Sequence, residues 1–136
     1  GASRRVKIVV VLMIGNRLGH LKELAKTLHL CEDEVIFAQT RTELQMIDLK
    51  EVKIVFVDLL WTYKDKNPAN IELAIRQLRD AGFIGTIEAC AINPHGNSYI
   101  VKLLGGLSVW GTPEEKEYPD LSLEEVAEKL APLLAA

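Results

Sequence analysis

Paired cysteines, a long apolar span and a surplus of positive charge are all missing from this 136-residue chain. Cys31 and Cys90 are its two cysteines. They have neither the dense spacing of a disulfide-stapled secreted domain nor the C-x-x-C pairing of zinc and thioredoxin-like sites, so a reducing cytoplasmic setting is expected. The apolar run Ile8 to Ile14 follows Arg4, Arg5 and Lys7 as in a signal peptide, but it is too short to span a bilayer and no small-residue cleavage site follows it. Gly1-Ala2-Ser3 reads as a cloning remnant. Sixteen Lys and Arg against nineteen Asp and Glu leave a formal charge of -3. Without a basic field, neither nucleic acid nor a membrane is expected as a partner. Neither His20, in the opening turn of the first helix, nor His95 has a second ligand at metal-binding spacing in its own segment, and His29 reads as a surface or half-packed residue, so no metal site is expected; no cofactor is expected either. There is no G-x-S-x-G elbow and no Ser or Cys with a sequence-visible base, which removes support for a hydrolase.

What is present is one domain's worth of alternating elements over residues 1–136. Val6 to Ile14 is a continuous apolar, β-branched run ended by Gly15-Asn16, the pattern of a strand buried on both faces. Leu18, Leu21, Ala25 and Leu28 then fall on one helical face. Glu34 to Ala38 is a second strand, and Thr40-Arg41-Thr42-Glu43 opens a short helix as a capping box. Lys53 to Leu60 is a third buried strand. Asn67-Pro68 caps a helix whose Ile71, Ala74, Ile75 and Leu78 form a stripe, stopped by Gly82. Thr86 to Ile92 is a fourth strand and Ser98 to Leu104 is predicted as a short helix. Leu107 to Trp110 is predicted as a fifth strand and Glu114 to Asp120 as a solvated loop. Ser122-Leu123-Glu124-Glu125 opens a last helix. The expectation is a three-layer, doubly wound α/β sandwich with a five-stranded parallel sheet of flavodoxin-like order 2-1-3-4-5.

In such sheets ligands sit beyond the carboxyl ends of the strands. That nominates Gly15 to Arg17, Asp58 to Lys66, Asn93 to Asn97 and Gly111 to Pro113, with Gly15, Asn16, Asn93, His95 and Thr112 as the candidate binding edge. Asp58 ends an apolar strand, where burial penalises its charge unless cations or amide donors surround it. It is either a nucleophilic carboxylate that accepts a phosphoryl group beside a divalent metal, or a carboxylate bonded to loop amides. An enzyme at this edge would need Asp58, Asn93, His95 and Thr112 to converge on one pocket. Glycines in Gly15-Asn16-Arg17-Leu18-Gly19-His20 would let amides approach an anion, but the segment lacks the Lys-Ser/Thr of a P-loop and the third glycine of a dinucleotide fingerprint. Trp61, Tyr63, Trp110 and Tyr118 could form an aromatic surface near the same edge.

The order of elements resembles the receiver domain of two-component response regulators, over nearly the whole chain from Lys7 to Leu134. Ile54-Val55-Phe56-Val57-Asp58-Leu59 looks like its phosphoacceptor strand. Leu78-Arg79-Asp80-Ala81-Gly82-Phe83-Ile84-Gly85-Thr86-Ile87 and Gly105-Gly106 resemble its later turns. The resemblance makes Asp58 the phosphoacceptor-like position. The acidic pair that holds magnesium in the family falls on Leu12 and Met13, or on Met13 and Ile14; the switch hydroxyl falls on Ala91, the lysine on Thr112 before Pro113, and the switch aromatic on Val109. It therefore implies a degenerate, CheY-like pseudo-receiver: a non-enzymatic signal-transduction domain that binds a protein partner through the fourth helix, fifth strand and fifth helix; a homodimer is a separate expectation. A weaker resemblance runs to cobalamin-binding domains, through Met13-Ile14-Gly15, Phe37-Ala38-Gln39-Thr40 and Gly111-Thr112. Their corrin-ligating D-x-H-x-x-G falls on Arg17, Gly19 and Lys22, one place out of register with His20, and the small residues beside their nucleotide tail are replaced by Asp58 and Ile92.

Overall fold

The computed structural model describes residues 10–58, 70–92, 98–102 and 115–135. It is an α/β domain whose strands are β1 (Val10–Ile14), β2 (Val35–Ala38), β3 (Val52–Asp58), β4 (Thr86–Ala91), β5 (Ser98–Lys102) and β6 (Glu115–Leu121), with helices α1 (Leu18–Thr27), α2 (Arg41–Gln45), α3 (Asn70–Asp80) and α4 (Leu123–Ala135). The six strands lie in the order β2-β1-β3-β4-β5-β6. The first four pair in parallel, as their helical crossovers require.

Alternation along the strands sends side chains to two cores. On one face Leu12, Ile14, Val55, Val57 and Ala89 meet Leu44 of α2 and Ala74, Ile75 and Leu78 of α3. On the other, Val11, Met13, Ile54, Phe56 and Cys90 meet Leu21 and Leu24 of α1 and Val126 and Leu130 of α4. All five residues of β1 are buried, which is why its sequence is apolar without alternation. Burying each such side chain is worth about 1.5–3 kcal/mol, so this strand and β3 dominate the core.

The helix ends follow local chemistry. Thr40 Oγ1 accepts from the Glu43 amide at 3.1 Å, and Glu43 reaches back to the Gln39 amide at 2.9 Å. Ser122 and Glu125 exchange reciprocal bonds of 3.0 and 3.1 Å at the start of α4. Gly82, at φ +96°, ends α3 with the Phe83 amide donating to the Leu78 carbonyl. His29 does the same for α1 at φ 59°, a left-handed position held by a side-chain-bearing residue.

The all-parallel five-stranded sheet is corrected here. Ser98 to Leu104 is not a helix: Ser98–Lys102 forms β5, antiparallel to β4. Glu114 to Asp120 is not a loop: Glu115–Leu121 forms β6, antiparallel to β5. Only residues 92–97 separate β4 from β5, whereas a parallel return needs a crossover of a dozen residues or more, so the chain comes back antiparallel. β6 has room for Pro119 because it is an edge strand, where one missing amide is tolerated. The predicted fifth strand at 107–110, the Asn67-Pro68 cap, Gly105-Gly106 and the start of the first strand at 6–9 lie outside the described residues. Among the described residues no helix is long and apolar enough to cross a membrane.

Candidate functional site

Strand order reverses between β1 and β3, so the crevice of this sheet opens where those two strands end. β1 runs into Gly15, whose amide extends the ladder to the Ala38 carbonyl at 3.0 Å. A Cβ on Gly15 would sit 3.0 Å from Cβ of Asp58 and 3.3 Å from Leu21, so a side chain there would press directly on the end of β3. Asn16 is exposed on the turn that follows.

Asp58 is fully buried and shares with Ile54 and Phe56 the face that α1 covers. Its charge is met by Arg17. Nε and Nη2 of Arg17 both donate to one carboxylate oxygen, at 3.1 and 2.8 Å, and Nη2 also donates to the other at 3.0 Å. The guanidinium keeps 28% of its side chain exposed, so the pair spans the boundary between core and solvent. Arg17 stands at the N-cap of α1, where Ser, Thr, Asp or Asn would accept from the first amides; it makes no side-chain cap. A residue that forgoes the local rule has its reason elsewhere, here 41 positions along the chain.

The same guanidinium donates to the carbonyl of Ile92, just beyond β4, at 3.0 Å. His20, one turn into α1, holds that carbonyl at 2.8 Å through Nδ1, which must carry the proton to donate to it. Arg17 and His20 thereby tie the start of α1 to the ends of β3 and β4. Cys90, paired in register with Asp58, is buried. Burial, and secondarily the Asp58 carboxylate, push its thiol well above the ordinary range, so it is held as an unreactive SH group.

Of the residues nominated from sequence, Gly15, Asn16 and Asp58 cluster at this edge. Asn93, His95 and Thr112 lie outside the described residues, as do the loops 59–66 and 111–113, Trp61, Tyr63 and Trp110. The sequence places Arg17 and His20 only in the glycine-containing segment after the first strand, and does not reveal their roles as partners of Asp58 and Ile92. The available signal was an arginine in a capping position. Where a receiver would carry its acidic pair, Leu12, Met13 and Ile14 are fully buried apolar residues. Among the described residues one group of three potential metal ligands lies close together, Cys31, Asp33 and Glu34, on the surface of the turn before β2. It serves as a cap, with the Cys31 amide donating to Glu34 at 2.8 Å and holding that carboxyl below its ordinary range.

No protein-family model matches the chain, and no curated protein or solved structure matches it either.

Proposed function

We propose that this chain is a regulatory domain of receiver type that acts by binding a protein partner and does not take up phosphate through magnesium-dependent aspartyl transfer. The observation that carries this reading is the engagement of Asp58: both carboxylate oxygens accept from Arg17. A phosphoryl acceptor must offer a free oxygen lone pair in line with the donor, and a divalent ion must neutralise the charge that develops on the transferring group. Here one oxygen pair faces a guanidinium, and the neighbouring strand end supplies thioether and alkyl groups in place of carboxylates.

The test is incubation with acetyl phosphate and magnesium followed by intact mass measurement. The expected result is an unchanged mass. A stoichiometric phosphate adduct that disappears in Asp58→Asn overturns the reading.

His20 favours the second reading, a cobalamin-type module, because a ring pinned through Nδ1 presents Nε2 as its ligating nitrogen. The residues around it do not fit that cofactor. Asp58 and Ile92 are fully buried where a nucleotide tail would need space, and a side chain on Gly15 would already press on Asp58. An absorption titration with cobalamin is expected to leave the corrin bands in place; a shifted band would revive this reading.

A further inference from the structure

We draw no further inference here: the strongest candidate, the apolar groove beside the start of β3 that is lined by Ile47, Leu49, Val52, Phe83 and the exposed Ile84, carries nothing because nothing in the structure shows what covers it.

Discussion

Replacing Arg17 by methionine is the perturbation that most directly weighs the site. Methionine retains the apolar stem and removes four donated hydrogen bonds, three to Asp58 and one to the Ile92 carbonyl, leaving a fully buried carboxylate without its guanidinium. Breaking one side of a buried pair costs about 3–5 kcal/mol. Arg17 is 28% exposed and Asp58 has further interactions, so the lower end applies, about 3 kcal/mol. With a urea dependence of about 2 kcal/mol per molar, the unfolding midpoint read by circular dichroism falls by about 1.5 M. Asp58→Asn is expected to cost less, about 1 kcal/mol, because the orphaned guanidinium can turn to water whereas the orphaned carboxylate cannot. The double variant Arg17→Met, Asp58→Leu should recover most of the loss, since an apolar pair of similar volume removes the buried charge altogether. A cost below 1 kcal/mol for Arg17→Met, or one no larger than that of Asp58→Asn, would refute this account of the site.

Gly15→Ala places a methyl group 3.0 Å from Cβ of Asp58, and the overpacking should lower stability by about 1–3 kcal/mol in the same urea assay. Native protein treated with a disulfide reagent near neutral pH is expected to label Cys31 alone, with Cys90 reacting only after unfolding; fast labelling of both would contradict the burial of β4. Glu125 is held below its ordinary range, chiefly by the Ser122 amide. Its cap therefore contributes fully above the usual glutamate range and is lost as pH falls through the lower folded value, because the unfolded chain takes up the proton first. Glu125→Gln should flatten that part of the acid side of a stability–pH curve; an unchanged curve would count against the cap. His29→Gly should raise stability by a few tenths to about 1 kcal/mol by relieving the left-handed backbone at the end of α1, measured as a higher urea midpoint.

The parallel half of the sheet is written plainly in the chain, because strands buried on both faces must be apolar throughout. Val10 to Ile14 and Ile54 to Val57 could not be read otherwise. The cap patterns at Thr40 and Ser122 and the stop at Gly82 are local chemistry and were legible for the same reason. The antiparallel hairpin was not. Ser98 to Lys102 carries too short an apolar pattern to separate strand from helix, and β6, with Glu115, Lys116, Glu117, Pro119 and Asp120, has the composition of a loop, which an edge strand tolerates. What could have decided it was the spacing from β4, too short for a crossover. At the site, Asp58 stood out because an acid interrupts an apolar run. Its partner did not, since no periodicity connects Arg17 to a residue 41 positions away. The pairing exists only once α1 and β3 are packed.

The two borders of the sheet are unequal. Among the described residues both borders are edge strands, β6 with Pro119 in its sequence on one side and β2 without a proline on the other. A proline offers no amide, so a strand laid along β6 could find a gap in its ladder that β2, which has no proline, does not present.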